Sequence, residues 1–273
     1  MIHAVRTELR KLYSRWATLS PYPLIALTLG LVAWNVSKLG GPIGLAPEAG
    51  IVTFFPLLMW WLLGAFAVVA AAGSLGGEFE LGTARTTLVT PVSRGRFLLA
   101  KFIACVVHVL CLVVFTAGLS QLVRWALFDD LRFGLLAGTE GAYDLLRPEQ
   151  HPVEVLSGAG AWVRLALCYG YTACFLVALT ALSLLVAAMM RHTVGAISVT
   201  AAIAVLEWVV SSVEPLAHVR PFMLVDQARG WLWVASGIVP VERVLAGLAS
   251  MTGYTVACLV CAWVSLARRD VHA

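Results

Sequence analysis

Charge is what this sequence has least of. Only 12% of its 273 residues are Asp, Glu, Lys or Arg, against 60% hydrophobic residues and a mean hydropathy of +0.89. A water-soluble domain carries about twice that charged fraction, and apolar runs long enough to cross a bilayer recur, so lipid is the solvent for most of the chain. A phosphate-binding loop is also missing: "GSLGGEFELG" is glycine-rich but lacks both the GxxxxGK spacing and the lysine, which excludes a nucleotide site there. The six cysteines all sit inside apolar runs rather than in polar loops beside acidic or imidazole partners, which argues against a disulfide framework or a metal centre. Cys258 and Cys261 have CxxC spacing, but within a buried helix they read as two small hydrophobes. His108 has no second histidine at matching depth, which argues against a haem or metal ligand, and hydrogen-bonded packing is expected. No repeat of fixed period and no low-complexity tract is present.

What is there is an all-α membrane protein of six transmembrane helices. Spans of about 20 residues are expected over 21–38, 51–75, 97–124, 161–190, 193–213 and 243–267. They are helical because a lone segment in hydrocarbon must satisfy its own backbone, and no period of two suggests a barrel. Eleven Lys and Arg with four acidic residues flank one side, and eight with eleven flank the other. The sides therefore carry +7 and −3, which together give the chain's +4. The positive side is the cytoplasmic one, with both termini on it. The first span follows a basic stretch without a clear cleavage site and is expected to stay as an anchor.

Residues 1–20 read as a basic amphipathic helix. Val5, Leu9, Leu12 and Trp16 form a stripe, and Arg6, Arg10, Lys11 and Arg15 lie largely off it, which suits a helix lying in the inner membrane interface against lipid headgroups. Two outer segments exceed a turn. Residues 125–160 are expected to form short surface helices. Residues 214–242 include "WLWVASGIVP", too short to span, which fits either a re-entrant or interfacial element anchored by Trp231 and Trp233 or an ordinary packed loop.

The stretch "GGEFELGTARTTLVTPVSRGRFLLAKF", residues 76–102, interrupts the apolar text. Gly76 and Gly77 loosen the end of the second span, and residues 78–89 suit a stubby helix with Leu81, Ala84 and Leu88 on one face. Thr90-Pro91 stops it, and Ser93 is placed to cap the third span. Its exposed face offers Glu78, Glu80 and Arg85 for ion pairing and Leu88 for a groove; a solvated loop is the competing reading.

This stretch resembles the signature of type-2 ATP-binding-cassette (ABC) membrane permeases, at Glu80, Gly82, Thr83, Leu88, Pro91, Ser93, Arg94 and Lys101. "ELRKLYSRW" near the start and "RRDV" near the end resemble the same family, and six spans with cytoplasmic termini fit throughout. Arg85 departs from it, standing where relatives commonly carry acidic or polar residues. The resemblance implies a coupling helix over 76–92, docking through Glu78, Glu80, Gly82, Thr83, Arg85, Leu88, Pro91 and Arg94 onto a separate ABC ATPase subunit. It further implies a second permease copy or homologue, location in a prokaryotic cytoplasmic membrane, and export of a substrate. This chain itself holds no catalytic site, no metal and no cofactor; ATP and Mg would sit on the ATPase partner, and nucleic acid is not a partner. Membrane lipid is.

Glu207, deep in the fifth span, is open to two readings: a substrate contact or protonation site, or a carboxylate near the outer surface bonded to a neighbouring helix. Tyr169, Tyr171 and Trp60 likewise fit a path for cargo or plain packing. Two rival functions are weaker. A gradient-driven secondary transporter would show paired broken spans and several intramembrane carboxylates, and a membrane redox or enzyme subunit would show converging polar residues.

Overall fold

Runs of Leu, Val and Ala without a polar period leave hydrocarbon-buried backbone one local solution, the helix, and helices of that kind make up this protein. The structure, a computed structural model, describes residues 1–39, 60–83, 93–128, 134–137, 154–157, 159–213, 218–220, 222–235 and 239–268. Helix α1 (Ile2–Tyr13) and the single turn α2 (Trp16–Leu19) precede α3 (Pro21–Leu39), α4 (Trp60–Glu80) and α5 (Arg94–Phe128). Strands β1 (Gly134–Ala137) and β2 (Glu154–Ser157) follow, then α6 (Ala159–Met190), α7 (Thr193–Ser212), α8 (Leu224–Gln227), α9 (Trp231–Ala235) and α10 (Val241–Arg268).

Six of these stretches are long and apolar enough to cross a membrane: Trp16–Asn35, Trp60–Glu80, Arg94–Ala126, Ala159–Met190, Thr193–Ser211 and Val241–Arg268. The chain is an all-α membrane protein, and the expected spans fall on these helices, apart from residues 51–59, which lie outside the described residues. Leu12 of α1 and Leu266 near the end of α10 sit in one core cluster, so the two share one end of the bundle. This is the terminal end.

Helix α6 is the axis. Its Leu176, Ala178, Ala181, Leu184 and Ala187 are fully buried, and it packs on α4, α5, α7 and α10. Small side chains let the backbones approach, which is how helices associate where lipid supplies little hydrophobic drive. One core cluster gathers Ile25, Leu63, Leu112, Phe175 and Trp231; a second, toward the terminal end, gathers Leu12, Leu75, Phe97, Leu184 and Leu266.

Two local expectations are corrected. Between α5 and α6, where surface helices were expected, β1 and β2 pair antiparallel with Gly134 opposite Ser157 and Ala137 opposite Glu154. Four-residue runs are too short to repay helix nucleation, whereas two of them can share a ladder. The stripe of residues 1–20 also does not lie whole against lipid. Leu12 is buried in the second cluster, while Trp16 is 87% exposed. The reason is a break at Arg15, whose backbone is extended (ψ 130°), so that Trp16 begins a new helical turn out of phase with α1.

Candidate functional site

At the terminal end four charged side chains from three helices form a closed set. Glu8 and Lys11, three apart on α1, lie 3.1 Å from one another. Lys11 Nζ is 2.9 Å from Glu78 Oε1 on α4. Lys101 Nζ on α5 is 2.7 Å from Glu8 Oε2 and 3.0 Å from Glu78 Oε1, and donates to the Ser74 carbonyl at 2.8 Å. Lys101 is 1% exposed and Glu78 3%. Charges are tolerated at such burial only when paired, and two cations against two carboxylates bring the set to neutrality. Burial alone would lower the Lys11 ammonium's pKa; the Glu78 and Glu8 carboxylates outweigh it and hold the pKa above the ordinary lysine value.

Glu78 is therefore not on an exposed face, contrary to the sequence expectation. Helix α4 does not loosen at Gly76 and Gly77 but runs through to Glu80. Its phase keeps Glu78 one turn beyond Ser74 on the buried side, beneath Ala71. The two glycines serve close approach instead. A Cβ on Gly76 would stand 3.0 Å from the Thr193 backbone, and one on Gly77 3.2 Å from the Arg15 guanidinium. Arg15 donates to the Gly73 carbonyl.

Glu80 stays exposed, as expected, but its carboxylate is engaged within the chain. One carboxylate oxygen accepts the Thr193 backbone N–H at 2.7 Å, and the other accepts the Thr193 hydroxyl at 3.1 Å. The His192 imidazole lies 3.3 Å away. The clasp closes the two-residue turn between α6 and α7, where Arg191 sits at φ +57° with its guanidinium 5.8 Å from the Phe79 ring centre. An anion at the first turn of α7 also suits the helix dipole.

Beyond Glu80 the chain leaves the helix through Gly82, at φ +68° with open space around it and its N–H bonded to the Phe79 carbonyl. A left-handed glycine just past a helix end is the usual stop. Thr83 donates to the Glu78 carbonyl at 3.3 Å and, like Leu81 and Gly82, is exposed. The start of the expected stubby helix, residues 78–80, belongs to α4; residues 84–92 lie outside the described residues, and with them the rest of that helix and Arg85, Leu88 and Pro91.

The chain returns at Ser93, whose carbonyl accepts the N–H of Phe97 in the first turn of α5. Arg94 then reaches away from the interruption and donates to the last carbonyls of α10, Leu266 at 2.6 Å and Ala267 at 2.8 Å. A cation there complements the helix C-terminus. Arg94→Gln is expected to cost about 1–2 kcal/mol and to raise hydrogen exchange over residues 262–268, leaving exchange in α3 unchanged. The segment between α4 and α5 thus enters and leaves through a frame tied to α1, α7 and α10.

Residues 43–272 match the family described as "Protein of unknown function (DUF2705)". The chain belongs to that family. It is also 28% identical over 135 residues to "Probable ABC transporter permease protein NosY" of Pseudomonas aeruginosa. The aligned stretch covers 48% of this chain and 48% of that protein, so the match spans about half the length of the curated relative.

At the opposite end of this DUF2705 chain the residues proposed for a cargo path do not converge. Glu207 accepts the backbone N–H of Val225 at 2.9 Å, with the Leu224 N–H beside it. Tyr169, 5% exposed, meets Ser120 at 3.2 Å. Tyr171, 3% exposed, donates to Gln227 at 3.5 Å and fills the space that a Cβ on Gly230 or Gly247 would need. Trp60 stands edge-on to Phe175, ring centres 5.6 Å apart. Each faces a different neighbour. His108 packs as expected, fully buried, its Nδ1 3.4 Å from the Tyr13 hydroxyl. Among the described residues no group of three His, Cys, Asp or Glu could hold a metal ion.

Of the two readings of residues 214–242, packing is the one its described residues follow, with Leu224, Val225, Val234 and Ala235 buried in the bundle. Trp231 is 2% exposed, and its carbonyl accepts the Cys168 thiol. Trp231 is therefore no headgroup anchor; its ring is core. The side chains that sequence reasoning missed are Glu8 and Lys101 as a pair. A lysine eight residues into an apolar helix is itself a signal that a buried carboxylate waits nearby.

Proposed function

We propose that this chain is the membrane subunit of an ABC exporter, in which a separate ATPase docks on the terminal end and drives a substrate across the cytoplasmic membrane. The observation that carries this reading is the frame just described. Buried ion pairs and helix-end bonds join α1, α4, α5, α7 and α10 around the end of α4 and the start of α5, the two points that the docking segment connects. A push on a loop with slack beneath it would be lost. A push on a segment rooted in that frame moves several spans together, as rigid-body rocking requires. The partial likeness to a protein named as an ABC permease supports the reading, as does the resemblance of residues 78–102 to the type-2 signature. In it Leu88 and Arg85 contact the ATPase, both termini are cytoplasmic, and a second permease chain completes the path. Glu78, Glu80 and Arg94 act inside the chain, holding the docking segment's roots.

The test is co-expression with the ABC ATPases of the same genome, one at a time, followed by capture on the tagged full chain and measurement of ATP turnover. One ATPase is expected to be retained and to hydrolyse ATP. Leu88→Glu is expected to lower its retention by at least about tenfold while membrane insertion is unchanged. Failure of every ATPase to be retained, or equal retention by the Leu88→Glu chain, overturns the reading.

A further inference from the structure

Helix α7 is held unlike its neighbours. Only 11% of its most apolar stretch is buried, against 61% in α4 and 67% in α6, on which it packs, and Val194, Val205, Leu206, Trp208 and Val209 are exposed along it. In a bilayer such apolar contacts do little to fix position, because lipid offers nearly the same contacts. Bonds to charged acceptors do fix it. At its terminal end Glu80 of α4 holds the Thr193 backbone and hydroxyl, and Gly76 lets the foot of α7 rest on α4 with no side chain between. Toward its other end Glu207, a residue of α7, holds the Val225 N–H of α8. The two clasps are 14 residues apart, about 21 Å along a helix that does not stretch.

We propose that α7 is a strut carrying displacement between the terminal end and the α8–α9 segment, with Glu80 and Glu207 as the positioning residues at its two feet. The consequence is reciprocity. A rigid element held at both ends transmits loosening in either direction, by equal coupling.

Hydrogen exchange on the purified full chain in phosphatidylethanolamine–phosphatidylglycerol nanodiscs tests this without nucleotide or partner, so it stands or falls separately from the transport reading. Glu80→Gln is expected to speed exchange at residues 193–195 by about tenfold and, across the bilayer, at residues 224–227 by at least about threefold. Glu207→Gln is expected to speed both stretches in the reverse order of size. Gly76→Ala, which leaves both carboxylates in place but displaces the foot of α7, is expected to speed exchange at 224–227 as well, and serves should either Gln variant fail to fold. Loosening confined to the substituted end in each variant would overturn the proposal.

Discussion

Lys101→Met should destabilise the folded chain by about 3–5 kcal/mol. The substitution keeps the length of the side chain and removes the ammonium that lies 2.7 Å from Glu8 and 3.0 Å from Glu78. Two carboxylates are then left to Lys11, whose side chain is 43% exposed, and Glu78 is held where water cannot reach it. Lys11→Met should cost only about 1 kcal/mol, because the buried lysine stays and the lost pair is partly screened by solvent. The double variant Lys101→Met/Glu78→Gln should recover part of the loss, since removing both members of a buried pair removes the uncompensated charge. Thermal unfolding in detergent, followed by tryptophan fluorescence, checks the order. Equal losses for the two lysine variants would show that the set is an ordinary surface network.

The fold was legible because hydrocarbon leaves so few options. Apolar length alone placed the spans, and their even number paired the two termini. What sequence could not supply was the neighbour that each polar side chain faces. Glu78 and Glu80 were expected to face a partner because the glycine pair before them reads as a helix end; in a packed span those glycines admit Thr193 and Arg15 instead, and the helix carries on. Glu207 had two readings of equal standing, and only the return of α8 across the bundle brings the Val225 amide to it. Arg94 belongs to a recognisable turn, yet its acceptors lie 172 and 173 residues away on α10. The strands within residues 125–160 were missed for another reason. Mixed polarity fits a short helix or a strand equally, and the choice was made by pairing between runs nearly twenty residues apart.

Trp231→Ala should be as damaging as the loss of Lys101, about 3–5 kcal/mol, although its surroundings read as an outer loop. The ring is 2% exposed, and Val234 and Ala235 of the same short helix are buried with it. It packs beside Cys168 and Tyr171, roughly two to three turns along α6 from the first residue of that helix. Truncating it opens a cavity that α6 cannot collapse into, because Tyr171 is already pressed against Gly230 and Gly247. Trp233, two residues on and half-buried, should cost clearly less. The measurements are thermal unfolding and hydrogen exchange over residues 224–235, which should rise steeply in Trp231→Ala and modestly in Trp233→Ala. Were both tryptophans headgroup anchors, the two variants would behave alike and the bundle would keep its stability. A large, one-sided loss instead marks α8–α9 as a plug built into the core, seated where the far foot of α7 can reach it through Glu207.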